Sequence, residues 1–149
     1  MGYDLILIHP PTVYDFREEE RHYGPVGDLV PASPIFDLYP IGFLSMLTYL
    51  AKRGFKVKIV NLAANMLLDP QLDVEETIRK LDAPIYGIDL HWLPHVQGAI
   101  EVARLVKRHH PNSKVMLGGL SSTIFWEEIL KNHDFIDLVA LGDTVEKPV

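Results

Sequence analysis

The stretch that decides the fold is residues 87–98, Gly87-Ile88-Asp89-Leu90-His91-Trp92-Leu93-Pro94-His95-Val96-Gln97-Gly98. An apolar strand ends here in Asp, His and Trp, and a helix follows at once. A second loop leaves the next strand in the same way, Gly118-Gly119-Leu120-Ser121-Ser122-Thr123. Open α/β folds bind ligands at the carboxyl ends of their strands. The two loops together predict a ligand pocket at one edge of a sheet.

Strand and helix patterns alternate on both sides of this stretch. Apolar runs predict five strands, at 3–8, 56–60, 85–89, 114–117 and 136–141. Helical spacing predicts helices at 41–53, 73–81, 97–109 and 123–131, with Asp73 and Glu76 forming an N-cap pattern. Such alternation requires right-handed crossovers and a mainly parallel sheet. We therefore expect an α/β fold of the flavodoxin-like (Rossmann-like) type, a doubly wound five-stranded parallel sheet of order 2-1-3-4-5.

Composition narrows the class of protein. The chain has 149 residues, 48% of them hydrophobic and 23% charged, which suits one globular domain. No apolar run approaches the roughly 20 residues that cross a bilayer, and no signal peptide is expected. A net charge of -6 argues against a nucleic-acid surface. The absence of cysteine excludes thiolate metal sites and iron–sulfur clusters within these residues. A cytoplasmic location is the default expectation.

Two segments interrupt the regular pattern. Residues 9–39 form a long irregular loop with five prolines, and loops of this length are usually functional or act as covers; a plain surface excursion is the alternative. At the other end, residues 143–146 resemble a helix start. We expect residues 1–149 to be a single domain, an N-terminal fragment of a longer protein whose final covering helix is truncated.

Several short motifs, in order along the chain, resemble one known family. They are Ile8-His9-Pro10-Pro11 after the first strand, Tyr39-Pro40-Ile41-Gly42-Phe43-Leu44, Leu50-Ala51-Lys52-Arg53-Gly54-Phe55-Lys56-Val57, Gly87-Ile88-Asp89, Pro111 to Val115 with Gly118-Gly119, and Leu141-Gly142-Asp143-Thr144-Val145-Glu146. In this order they resemble the amino-terminal cobalamin-binding domain of radical S-adenosylmethionine enzymes.

The resemblance implies a cofactor and a larger protein. Cobalamin would bind to this domain in base-off form, for methyl transfer or related radical chemistry on an unknown substrate. S-adenosylmethionine and a [4Fe-4S] cluster would belong to a C-terminal barrel of the same chain, beyond Val149, so this part alone would be a binding module and not a catalyst.

The sequence departs from the family in two places within these residues. The Asp-x-His-x-x-Gly motif, by which many cobalamin proteins ligate cobalt, is absent after the first strand, in agreement with the radical-enzyme branch. Asp89-Leu90-His91 replaces the small hydroxyl residues that the family usually has at the end of the third strand. This second departure bears directly on how the ligand is held.

Sheet order places the predicted site. The crevice opens between strands one and three, where two loops flank it and the Gly-Gly loop lies next in line. The predicted cofactor-binding residues are His9, Pro10, Pro11, Asp89, His91, Trp92, His95, Gly118, Gly119, Ser121, Ser122, Thr123 and Gly142. The two adjacent glycines allow a bulky group close to the backbone, and the hydroxyls suit a phosphate or an amide-rich tail. A Gly-Gly tight turn with a Ser/Thr N-cap explains the same residues without a ligand.

The histidines of the 87–98 stretch have more than one possible role. His91 and His95, with Asp89 close by, have the spacing of a metal grip on a helix, although Pro94 argues for loop. His91 is a possible metal ligand that faces the lower side of a corrin, or else a rim histidine bonded to the backbone. Trp92 packs in the core, on a planar ligand or on the neighbouring barrel, and core packing is the expectation.

Other functions have less support. No acidic pair of a receiver domain follows the first strand, no Gly-x-Gly-x-x-Gly follows any strand, and no Gly-x-Ser-x-Gly elbow occurs. Two alternatives to cobalamin stay open: a flavodoxin-like module that binds a flavin or nucleotide, and a protein-interaction domain with an empty crevice.

Overall fold

Five parallel strands form one sheet in the order β2-β1-β3-β4-β5, as predicted. A computed structural model of the protein describes residues 2–18 and 40–142. The strands are β1 (Leu5–His9), β2 (Val57–Asn61), β3 (Ile85–Asp89), β4 (Lys114–Gly118) and β5 (Leu138–Ala140). The helices are α1 (Ile41–Ala51), α2 (Leu62–Leu68), α3 (Val74–Arg79), α4 (Val96–His109), α5 (Leu120–Ile124) and α6 (Trp126–Asn132), with a 3-10 turn at Leu93–His95 before α4.

The two faces of the sheet are covered by different helices. Along β1, Ile6 and Ile8 point into the larger core cluster, which includes residues of α2, α3, α4 and α6. Leu5 and Leu7 point to the opposite face, where they pack with Phe43 and Met46 of α1. This alternation follows from the two-residue repeat of a strand and confirms the doubly wound arrangement.

Local signals begin and end several helices. The Asp73 carboxylate accepts a hydrogen bond from Glu76 N at 2.8 Å, which confirms the predicted N-cap of α3. After α1 the chain turns through Gly54, whose φ of 89° lies in the left-handed region that glycine favours. The three basic residues in the last turn of α4 complement the partial negative charge at its C-terminus.

Two predictions about helices were incomplete. No helix was predicted at α2. Two signals for it are present in the sequence: the Asn61 side chain caps it by accepting from Ala64 N at 2.9 Å, and its residues are mostly good helix formers. The single helix predicted at 123–131 is two helices, α5 and α6, because Phe125 leaves helical geometry at φ -107° and ψ 24°. The hydroxyls of Ser122 and Thr123 bond the Gly119 carbonyl and hold α5 to the rim.

A charged network closes the opposite, N-terminal edge of the sheet. The Asp137 carboxylate accepts from Lys107 Nζ at 2.7 Å, from Lys114 Nζ at 2.9 Å and from Val115 N at 2.9 Å. Burial tends to raise the pKa of Asp137, but these three donors outweigh it and hold the pKa at about 2. The network ties α4 and β4 to the residue just before β5.

Two sequence-based expectations lie outside the described residues. They are the part of the long loop at 19–39 and the helix start expected at 143–146, and with it the truncated covering helix. Among the described helices, none has the length and apolar character that crossing a membrane requires.

Candidate functional site at the carboxyl edge of the sheet

The last row of the sheet places His9, Asp89, Gly118 and Ala140 side by side. Ile8 pairs with Ile88, Asp89 pairs with Gly118, and Gly118 pairs with Ala140. A Cβ built on Gly118 would meet only the Ala140 Cβ, at 3.9 Å, among the described residues. A notch therefore lies open beside Asp89, bounded by Gly118 and the small side chain of Ala140.

A buried histidine–carboxylate pair bridges β1 and β3 next to this notch. His9 Nδ1 lies 3.0 Å from Asp89 Oδ2, and the two side chains are 4% and 15% exposed. The ring of His95 contacts the ring of His9 edge-on at 5.5 Å and is itself buried. These three side chains fill the crevice between β1 and β3 at the point where the strand order reverses.

The described part of the loop after β1, residues 10–18, is packed onto α4. Pro10, Pro11 and Thr12 are buried, and the Thr12 carbonyl accepts from Gly98 N at 3.1 Å, which satisfies a first-turn donor of the helix. A Cβ on Gly98 would overlap the Pro11 carbonyl, so only glycine allows this approach. The Gln97 side chain adds two hydrogen bonds to the backbone of Tyr14.

The loops after β3 and β4 hold each other at the rim. The His91 carbonyl accepts from Ser121 N at 3.2 Å and from Ser121 Oγ at 2.9 Å, and Leu90 O accepts from Ser122 N at 3.2 Å. Gly119 has a φ of 115°, and a Cβ there would lie 2.6 Å from His91 N. Gly119 is therefore required by the contact between the two loops, and of these two glycines Gly118 is the one that has open space beside it among the described residues.

The hydroxyls predicted to meet a phosphate are used inside the protein. Ser121 donates to His91 O, Ser122 donates to Gly119 O, and Thr123 donates to Gly119 O at 2.9 Å. Thr123 also bonds with the backbone of Gly142, which fixes the end of β5 against α5. These bonds favour the structural role of the three hydroxyls over a phosphate site.

Large apolar side chains surround the rim on its solvent side. Trp92 and Leu93 are 55% and 54% exposed, and Leu120 and Phe125 are 39% and 41% exposed. Leu93 and Phe125 also line a cleft of about 250 Å³ between α4 and α6. The expectation that Trp92 packs in the core is wrong, because the preceding residues turn it outward against the edge of the His91 ring, 4.9 Å away.

The two histidines of the 87–98 stretch are separated. The 3-10 turn directs His95 down onto His9, and His91 stays at the rim. Within residues 2–18 and 40–142, no three side chains of the His, Cys, Asp or Glu type converge as metal ligands. The structure therefore does not assemble the grip of His91, His95 and Asp89.

A separate cleft of about 640 Å³ lies between the loop after β1, α3 and α4. Its two arginines are already paired: Arg17 with Asp15 and the carbonyls of Pro70 and Leu72, and Arg104 with Glu101. Burial tends to raise the pKa of Asp15, but the hydrogen bonds from Arg17 hold it below its usual value. With both cations occupied, this cleft offers little to an anionic ligand.

Sequence reasoning missed some residues that shape the site. Ala140 shapes the site because it pairs with Gly118 in the sheet. Gln97 shapes it because its side chain bonds to the backbone of Tyr14. Leu93, Leu120 and Phe125 were not singled out, because an apolar side chain by itself does not show that it is exposed. The one local signal was their position, since each lies just after a strand or at a break between helices.

Comparison with known proteins identifies the family. The model of the B12 binding domain matches residues 27–146, and the chain belongs to this family of cobalamin-binding domains. Among solved structures, the chain is similar to the response regulator DrrB of Thermotoga maritima, an OmpR/PhoB homologue, with 13% identity and a TM-score of 0.52. The match covers 99% of this chain and 49% of DrrB, so the chain spans about half the length of that protein. This likeness shows the fold alone. No curated protein matches the chain.

The residues at the carboxyl edge fit a corrinoid. Gly118 and Ala140 leave a notch where a large ring can approach the backbone. The exposed Trp92, Leu93 and Phe125 offer apolar surface to a macrocycle. An imidazole, at His91, stands beside them as a nitrogen donor.

Proposed function

We propose that this domain binds a base-off corrinoid on the loops after β3 and β4 and serves a radical S-adenosylmethionine protein in methyl transfer or related radical chemistry. Membership of the B12-binding family carries the proposal. The open notch at Gly118 supports its location. When bound, the corrinoid supplies a cobalt centre that can carry a methyl group. The chain's own residues bind this cofactor and orient it.

The predicted site residues divide into two roles in this proposal. His91, Trp92 and Gly118 contact the corrinoid, because they face the rim and have open space or exposed surface. The others hold these contacts in place: His9, Pro10, Pro11, Asp89, His95, Gly119, Ser121, Ser122, Thr123 and Gly142.

The described residues 9–18, at the end of β1 and the start of the loop after it, support a corrinoid that receives no ligand from them. His9 is the last residue of β1, and its ring is buried against Asp89 and His95. Pro10 and Pro11, which follow it, are buried as well. Cobalt could reach His9 only if the bridge between β1 and β3 opened.

The radical-enzyme context rests on the ordered motifs from Ile8-His9-Pro10-Pro11 to Leu141-Gly142. Since the chain has no cysteine, a [4Fe-4S] cluster and its S-adenosylmethionine would require residues beyond Val149. Reading the coding sequence past Val149 tests this directly. We expect a Cys-x-x-x-Cys-x-x-Cys motif in a barrel domain; a stop codon or an unrelated domain would remove the radical-enzyme context and leave corrinoid binding intact.

The binding proposal is tested by mixing the purified chain with hydroxocobalamin and passing it through a desalting column. We expect about one corrinoid per chain to be retained and its visible spectrum to change. FMN and ATP, run in parallel, should not be retained, because the Ser121–Thr123 donors already bond to carbonyls. Retention of FMN or ATP in place of corrinoid would favour the flavin or nucleotide alternative. A folded chain that retains none of the three would favour the interaction domain.

A further inference from the structure

The backbone of His91 is held from three directions. Its N–H donates to Asp89 Oδ1 at 3.1 Å, its carbonyl accepts from both the N–H and the hydroxyl of Ser121, and Gly119 lies against its N and Cα. Loops at sheet edges are usually more mobile than the strands that they follow. The number of contacts that hold the His91 backbone is therefore unusual for a residue at the rim. These contacts therefore fix the position of the His91 Cα, from which the side chain extends.

Asp89, one of these three supports, is itself anchored in the protein interior. Its other oxygen, Oδ2, pairs with Nδ1 of the buried His9 at 3.0 Å. One carboxylate thus connects the end of β1 to the backbone of His91. The connection passes through a side chain that is mostly shielded from solvent, where charge-assisted hydrogen bonds are strong.

The ring of His91, unlike its backbone, makes no hydrogen bonds within the described residues. Within residues 2–18 and 40–142, no group hydrogen-bonds to either ring nitrogen, and the edge contact with Trp92 is its ring partner. A histidine with a fixed backbone and unengaged ring nitrogens is arranged to meet something outside the chain. The exposed apolar side chains of Trp92 and Leu93 nearby suit a large ligand with an apolar surface. The unengaged imidazole of His91 suits a ligand that contains a metal able to accept a nitrogen ligand.

We infer that His91 supplies the axial nitrogen to the cobalt of the bound corrinoid, and that Asp89, with His9 behind it, and Ser121 are positioning residues for that bond. The inference rests on the proposed function. The bond is a donation of the imidazole lone pair to cobalt, with no group transferred and no change of oxidation state.

The test is electron paramagnetic resonance of cob(II)alamin bound to the chain grown on ¹⁵N. The unpaired electron of cob(II)alamin lies along the axial direction and couples to the axial nitrogen. A ¹⁵N nucleus of the protein splits each cobalt line into two, and the ¹⁴N of the cofactor's own base splits it into three. The spectrum therefore tells a protein histidine from the cofactor's base.

The proposal expects two-line splitting in the unmodified chain and none in His91→Gln, with corrinoid still bound. His109→Gln is the matched control, since His109 lies at the far end of α4 and bonds to Glu75. Two-line splitting that survives His91→Gln would assign the bond to another histidine and overturn the inference. Three-line splitting would overturn both the inference and the base-off state. Binding without splitting overturns the inference alone, and no binding overturns it together with the proposed function.

The positioning role has its own readout. Ser121→Ala removes the side-chain bond to the His91 carbonyl and leaves the backbone bond from Ser121 N. We expect bound cob(II)alamin to show a mixture of split and unsplit signal, with Ser121→Thr restoring the split signal because a hydroxyl is present again. A fully split signal in Ser121→Ala, with unchanged corrinoid affinity, would show that Ser121 has no positioning role.

Discussion

The loop after β1 and the loops after β3 and β4 leave the same edge of the sheet, yet their described residues make different contacts. The described part of the first loop, residues 10–18, is tied inward, because Thr12 accepts from Gly98 and Tyr14 bonds Gln97. The pair of Asp89 with His9, the last residue of β1, lies beside it. The other two brace each other through the backbone of His91 and carry exposed apolar side chains outward. The difference shows that protein side chains fill the strand-order switch point, and it is the reason for proposing a ligand surface further along the edge, at β3 and β4.

The largest effect is expected from Gly98→Ala, which breaks the inward tie of the loop after β1. The added methyl would overlap the Pro11 carbonyl and push the loop off α4, with loss of the Gly98–Thr12 hydrogen bond. We expect about 2–4 kcal/mol less stability by urea unfolding, from overpacking and the lost bond. Gly42→Ala is the control: that glycine lies in α1 with open space around it, so stability should stay the same or rise by up to about 1 kcal/mol. Equal stabilities for the two variants would mean that the loop is not tied as described.

Adjacent glycines sharpen the account of the other two loops. Gly119→Ala places a side chain at a φ of 115° and against His91, and we expect about 2–3 kcal/mol less stability from strain and crowding. Gly118→Val meets open space and should change stability by less than about 1 kcal/mol, while it fills the notch and weakens corrinoid binding by roughly tenfold or more. Urea unfolding curves measure the stability of both variants, and corrinoid titrations measure their affinity. Unchanged corrinoid affinity in Gly118→Val would remove the notch from the site.

A residue at the opposite edge separates stability from binding. The depressed pKa of Asp137, about 2, stabilises the native state above the unfolded pKa of about 4, and this stability is lost as pH falls from about 4 through 2. Asp137→Asn should cost about 2 kcal/mol at pH 7 and flatten the acid limb of the unfolding profile. Corrinoid affinity at pH 7 should not change, because Asp137 lies at the edge away from His91. A parallel loss of affinity would place the ligand elsewhere.

The smallest effect concerns the exposed surface. Trp92→Ala should leave stability unchanged, since the side chain is 55% exposed, and should weaken corrinoid binding by about 1 kcal/mol, roughly fivefold. Phe55→Ala is a matched exposed aromatic beyond the end of α1, and its corrinoid affinity should equal that of the unmodified chain. Equal affinities for both variants would exclude Trp92 from the contact surface.

The fold could be predicted because its signals are local. Apolar runs gave the strands, the Asp73 cap and the periodicity of residues 96–109 gave helices, and the alternation gave the sheet order. The B12-binding family match supports the ligand that the ordered motifs indicated.

The arrangement of the site could not be predicted because it depends on contacts between distant residues. His9 and Asp89 are separated by 80 positions, and nothing near either one shows that they pair. Gly118 and Gly119 look alike in the sequence, yet one faces open space and the other faces a backbone. Trp92 is apolar and suggested the core, because nothing in the local sequence shows that its side chain is exposed.

Amide hydrogen exchange with and without hydroxocobalamin tests the central claim most directly, since it reports each loop separately. We predict slower exchange on corrinoid binding at residues 90–93 and 119–125, with residues 12–16 unchanged. Slower exchange at 12–16 with no change at 90–93 and 119–125 would place the corrinoid at the loop after β1 and contradict the account.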